Sequence, residues 1–176
     1  MTIKRATCEY KKVKACSIKA DVFLPEVKNP PLILYFHGGA LISGSRKYLP
    51  RYQARRLNQA GFAVASFDYR LAPETRLPEI ITDILDAIAW ARTEGAGLFA
   101  WDPTRVAAMG GSAGGYLSLM TGTFAGKPNA IVSFYGYGDI LGPWYTLPSE
   151  FYCQHRMIPR DEAESSVGRR EKSTGG

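Results

Sequence analysis

Apolar and polar residues change their spacing along this chain, and each change predicts a different element. From Cys16 to Leu24 they alternate, with Cys16, Ile18, Ala20, Val22 and Leu24 on one side and Ser17, Lys19 and Asp21 on the other. A period of two predicts a half-buried strand. Ala6 to Val13 is placed to pair with it as an antiparallel hairpin. After Asn29-Pro30-Pro31 the pattern becomes continuously apolar, in Leu32 to Phe36, Phe62 to Phe67, Val106 to Met109 and Ala130 to Phe134. Short runs of this kind suit strands covered by helices on both faces.

Helical spacing lies between those runs. Pro78 fits a first helical position, where its missing N–H is no loss. Behind it Ile80, Ile81, Ile84, Leu85 and Ile88 form one apolar stripe, with Glu79, Asp83 and Asp86 on the outer side and Gly95 as a stop. Tyr48 to Ala60 and Gly114 to Thr123 are the other two predicted helices. A hairpin followed by β-α-β-α-β-α-β predicts an α/β fold with a mostly parallel, doubly wound sheet. Beyond Gly136 the chain is rich in Gly, Pro and aromatics, then charged, and no strand-like run follows. Residues 1–136 therefore read as the core, and 137–176 as the start of a lid or cap, or a disordered tail. The sheet is expected to lack its last strands. Ala130 to Phe134 would then be an uncovered edge, open to self-association.

Length and composition narrow the class. A chain of 176 residues supports one domain, and 45% hydrophobic with 22% charged residues is ordinary for a soluble globular protein. No apolar stretch approaches the roughly 18 residues of a membrane span. The N-terminus lacks the apolar region of a secretory signal, so a cytoplasmic location is expected. Cys8, Cys16 and Cys153 are scattered without zinc-type spacing and read as reduced thiols, with no metal implied. The net charge of +6 owes much to Lys4, Arg5, Lys11, Lys12, Lys14 and Lys19. These read as the solvated face of the hairpin; no aromatic-interleaved basic motif accompanies them, and no nucleic-acid partner is expected.

The chemistry concentrates at strand ends. Gly110-Gly111-Ser112-Ala113-Gly114 matches G-x-S-x-G, a pattern with about 0.1 chance occurrences in a chain of this composition. Its context is more telling, because Ser112 follows a buried strand and precedes a helix, the setting of a nucleophile elbow. His37-Gly38-Gly39-Ala40 ends the first buried strand. Its amides can turn toward a tetrahedral oxyanion, with the N–H of Ala113 as a further donor. Asp68-Tyr69-Arg70-Leu71-Ala72-Pro73-Glu74 follows the second buried strand, and Asp68, Arg70 and Glu74 are expected to hold the loops framing the site.

Taken together, these three motifs and Trp101-Asp102-Pro103-Thr104-Arg105 resemble the hormone-sensitive-lipase-like esterases of the α/β-hydrolase superfamily, over residues 31 to 136. The resemblance implies a carboxylesterase or lipase acting on small acyl esters without a cofactor. Ser112 would be the nucleophile, with Gly38, Gly39 and Ala113 as the oxyanion hole. Ala40 departs from the commoner third glycine, and no helical cap precedes the first strands. The superfamily places an acid and then a histidine after the serine, on later strands. Here only His37 and His155 exist, and His37 belongs to the oxyanion loop. Asp139 and His155 could form a shortened triad, although His155 reads more simply as a surface residue of a lid segment. The sequence thus reads as the front part of a longer esterase. A non-catalytic domain that binds an acyl ligand or a partner chain is the alternative. A phosphate loop at Gly110 to Gly115 is a third reading, but neither G-x-G-x-x-G nor a Walker lysine is present.

Overall fold

In the computed structural model, residues 4–165, 167–168 and 170–174 are described. Six strands form one sheet in the order β1-β2-β4-β3-β5-β6. β1 (Lys4–Val13) and β2 (Cys16–Leu24) make the expected antiparallel hairpin, and β2 also runs antiparallel to β4 (Ala63–Phe67). β3 (Leu32–Phe36) pairs in parallel with β4 and with β5 (Val106–Gly111), and β5 with β6 (Ala130–Phe134).

The continuous apolar runs have the expected cause. Leu32, Leu34 and Phe36 face a core that also holds Ile80, Ile84 and Ile88 of α2 (Leu77–Arg92) and Leu117 of α4 (Ala113–Met120). Ile33 and Tyr35 point the other way, into a smaller core with Ala54 of α1 (Arg51–Gln59). With helices on both faces, every position of β3 and β4 is buried. This is the doubly wound sheet that the alternation predicted.

Several expectations need correction. The first helix begins at Arg51 rather than Tyr48, because Leu49 precedes Pro50 and is held extended. Gly95 is not a stop: α2 ends at Arg92 and α3 (Glu94–Phe99) follows. Gly95 lies instead where a Cβ would fall 2.6 Å from the Trp101 ring. Asp83 is not on the outer side of α2. It is fully buried, accepting from the Arg70 guanidinium (2.9 Å) and Lys11 (2.6 Å). Asp21, on the polar side of β2, is likewise buried, between Arg5 (2.6 Å) and Arg46 (3.2 Å). Lys11 and Arg5 of the hairpin are therefore ion-paired rather than merely solvated. β6 is not covered on both faces, since Val132 and Phe134 are exposed and only the side carrying Ile131 and Ser133 meets α4. Two further short helices, α5 (Pro143–Thr146) and α6 (Arg160–Ser165), lie beyond the sheet. No described helix is long and apolar enough to cross a membrane.

Candidate active site

Ser112 stands where β5 hands over to α4, with φ 54° and ψ −121°. A positive φ is costly for a non-glycine residue and survives only where its surroundings enforce it. Here they do: the Ser112 N–H donates to the Phe134 carbonyl (2.9 Å), and its own carbonyl accepts from Tyr116 N–H (2.9 Å). Behind the serine, α4 packs directly against the end of β3 through Gly114. The elbow expected from the motif is present in these backbone terms.

The His37 to Leu41 loop lies beside it. A Cβ built on Gly38 would be 3.4 Å from the Ser112 Cβ, so the two segments touch with nothing between them. The loop continues through positive φ at Gly39, Ala40 and Leu41. The Gly39 carbonyl closes the turn by accepting from the Ile42 and Ser43 amides, both at 3.0 Å. The N–H groups of Gly38, Gly39 and Ala113 donate to no acceptor among the described residues. Ser112 borders a cavity of about 120 Å³, lined also by Ala40, Leu41, Tyr116, Tyr137, Ile140 and Tyr145. Tyr137, Trp144 and Tyr145 pack as an aromatic triangle, with ring centroids 5.2–5.5 Å apart. Burial, and then the nearby charge of Asp139, push the Tyr116 phenol above its ordinary range.

The loop after β4 is held in place by four separate anchors. Asp68 accepts from the Arg46 amide (2.7 Å) and guanidinium (2.5 Å), fixing the far end of the loop that carries Gly38 and Gly39. Burial raises the Asp68 carboxyl in spite of Arg46. At neighbouring Asp21, burial is outweighed by hydrogen bonds from Thr7 and Arg5 and by the Arg46 charge, which hold the carboxyl below its ordinary range. Arg70 reaches away from the site to Asp83 and Glu171. Glu74 pairs with Lys172 (2.9 Å) and accepts from the Gly168 amide (2.8 Å). Ala72 N–H closes the frame on the Leu41 carbonyl (2.8 Å). Arg46, Asp21 and Asp83 were not among the expected framing residues, because a charged side chain reads as surface until its partner is known.

Among the described residues, no base meets Ser112. Its side chain has no hydrogen-bond partner among the described residues. His37 is fully buried, and burial pushes its imidazole down to about 4. Its Nδ1 is committed to the Gly38 carbonyl at 2.7 Å. His155 is exposed and packs on Phe151 at 6.0 Å. The Asp139 carboxylate accepts from the amides of Leu141 (2.7 Å) and Gly142 (3.2 Å). No hydrogen bond or ion pair joins Asp139 to His155, and neither lines the cavity. Among the described residues, no cluster of three or more His, Cys, Asp or Glu side chains could hold a metal ion.

A model of the BD-FAE family matches residues 20–145. Among curated proteins, the non-reducing polyketide synthase pkbA of Emericella nidulans is 36% identical over 155 residues, which is 80% of this chain and 6% of that protein. The non-reducing polyketide synthase Preu6 of Preussia isomera is 38% identical over 147 residues, 76% of this chain and 7% of that protein. Among solved structures, butyrate-bound esterase 2 of Thermogutta terrifontis superposes with a TM-score of 0.68 at 27% identity, covering 92% of this chain and 60% of that one. The same esterase phosphorylated by paraoxon gives 0.64 at 27% identity, covering 73% and 56%. The chain thus spans a small fraction of its curated relatives and just over half of these solved esterases.

Proposed function

The chain belongs to the BD-FAE family and has the α/β-hydrolase fold, and from that premise we propose that it is the nucleophile-bearing body of a serine hydrolase that cleaves small carboxylic esters. The observation that carries this reading is the strained Ser112, bordering a cavity beside three amides that donate to no acceptor among the described residues. In the proposed reaction Ser112 Oγ attacks the ester carbonyl. The amides of Gly38, Gly39 and Ala113 receive the negative charge on oxygen, the alcohol departs, and water releases the acyl group from the serine. Each such donor contributes on the order of 3 kcal/mol to the transition state. The segment from Tyr137 to Thr146, which brings Tyr137, Ile140 and Tyr145 over the serine, acts as a lid. No cofactor enters the reaction, and a cytoplasmic location accords with its free cysteines.

The serine proton needs an acceptor. His37 is buried and committed, and His155 does not line the cavity. We therefore propose that full-rate turnover uses a histidine and a carboxylate from polypeptide outside these residues. Without them the expected loss is on the order of a million-fold, by analogy with triad deletions.

A second reading follows from the names of the curated relatives: the acyl group is a polyketide, released by this domain within a larger synthase. The two readings share Ser112 and differ in the acyl group and its carrier.

Treating the chain with paraoxon and locating the added phosphoryl mass tests the nucleophile. Label is expected on Ser112 and absent from Ser112→Ala. Hydrolysis of p-nitrophenyl acetate by this chain is expected only at a residual rate, lost in Ser112→Ala and unchanged in His155→Ala; rapid turnover abolished in His155→Ala would place the base within these residues instead. Label on another residue in place of Ser112 would favour a non-catalytic binding domain.

A further inference from the structure

The Gly38 and Gly39 amides belong to consecutive peptide units, and each unit has its carbonyl oxygen held from behind. In the first, the Tyr69 hydroxyl donates to the His37 carbonyl oxygen at 2.7 Å, and the N–H of that unit is that of Gly38. In the second, His37 Nδ1 lies 2.7 Å from the Gly38 carbonyl oxygen, and the N–H is that of Gly39. A trans peptide is planar, with its C=O and N–H pointing in opposite directions. Fixing each oxygen therefore fixes where its N–H points: away from the Tyr69 hydroxyl in one unit, away from the imidazole in the other.

The two anchors form one assembly. The His37 and Tyr69 rings stack with centroids 4.2 Å apart and planes within 10°. Both side chains are fully buried. A carbonyl oxygen can only accept, so the imidazole carries its proton on Nδ1. Its Nε2 is buried without a partner among the described residues, as suits a nitrogen that carries no proton. Burial keeps the ring neutral, with its pKa near 4, and keeps the Tyr69 phenol protonated as a donor. Gly44 seals the back: a Cβ there would fall 2.5 Å from both His37 Nδ1 and the Gly38 oxygen.

We infer that His37 and Tyr69 are positioning residues that aim the Gly38 and Gly39 amides at the carbonyl attacked by Ser112. The inference rests on the reading of these amides as an oxyanion hole. Neither side chain touches substrate; each acts through a peptide plane. A general base role for His37 is excluded because its lone-pair nitrogen, Nε2, is buried, meets no partner among the described residues and does not line the cavity at Ser112.

The test uses ¹⁵N-labelled full chain and two readouts. In wild type, NMR at neutral pH should find the His37 proton on Nδ1; a proton on Nε2 overturns the inference. In Tyr69→Phe, the Gly38 amide resonance should move and exchange with solvent about tenfold faster, while the amide of Val22 in the core stays as it was. Ser112 phosphorylation by paraoxon should slow by about 10- to 100-fold, less than the roughly 100- to 1,000-fold lost when an oxyanion donor is removed outright. An unmoved Gly38 amide, or an unchanged labelling rate with the amide moved, overturns the positioning role. If wild-type Ser112 takes no label at all, the missing base accounts for that and the labelling rate decides nothing. The tautomer and the Gly38 response then still decide whether these residues orient the two amides.

Discussion

A Cβ placed on Gly114 would lie 1.9 Å from the carbonyl oxygen of Phe36. This contact sets the first turn of α4, and so the serine before it, directly against the end of β3, from which the His37 loop departs. The obstacle is backbone and cannot swing aside. Gly114→Ala should therefore destabilise the fold by about 2–3 kcal/mol and weaken paraoxon labelling of Ser112. Gly97, in α3, has nothing within 4 Å of its notional Cβ. Gly97→Ala should instead stabilise by about 0.5–1 kcal/mol. Urea midpoints of the two variants check both signs.

Asp83 is the residue on which two cations converge, Arg70 and Lys11, at 2.9 and 2.6 Å. Removing it leaves the largely buried Arg70 guanidinium without its main partner. Asp83→Ala should cost about 3–5 kcal/mol. The pair between Arg160 and Glu164 has the same chemistry on an exposed helix, and Glu164→Ala should have little effect on melting temperature. Equal losses from the two variants would contradict the role given to burial.

Stability should fall on acidification because of His37. Its folded pKa is near 4, against about 6.5 in an unfolded chain. Below pH 6.5 the unfolded chain binds the proton first. The stability this residue contributes is therefore present above pH 6.5, declines as pH falls, and is lost by pH 4, about 3 kcal/mol in all. The Asp68 carboxyl, raised by burial, works with the opposite sign and loses stability as pH rises through its folded pKa. Comparing urea midpoints of wild type and His37→Asn between pH 7 and 4.5 isolates the histidine. Parallel curves would refute the assignment.

We propose that β6 mediates self-association. It is the last strand of the sheet, and Val132 and Phe134 are 42% and 43% exposed on its bare side. An uncharged edge strand of this kind pairs readily with another. Sedimentation velocity should detect concentration-dependent dimers, reduced in Val132→Lys. A chain that stays monomeric at every concentration would count against an interface here.

Much of this molecule was readable from spacing alone. Alternation at Cys16 to Leu24 gave the hairpin strand, and the apolar runs gave β3, β4 and β5, because a strand buried on both faces can contain nothing else. The Ser112 and His37-Gly38-Gly39 motifs were legible because their turns demand small residues in fixed order. What spacing could not carry was pairing across the fold. Asp83 and Asp21 look like surface residues until Arg70 and Arg46, distant in sequence, are brought against them. Gly95 looks like a helix stop until Trp90 and Trp101 close over it. Tyr69 is one letter of a motif until its hydroxyl is found on the His37 carbonyl. The elbow and the loop were determined locally, by the backbone conformations their residues permit. Where the amides point, and how each buried charge is neutralised, depends on contacts between distant residues, and only the tertiary structure decided it.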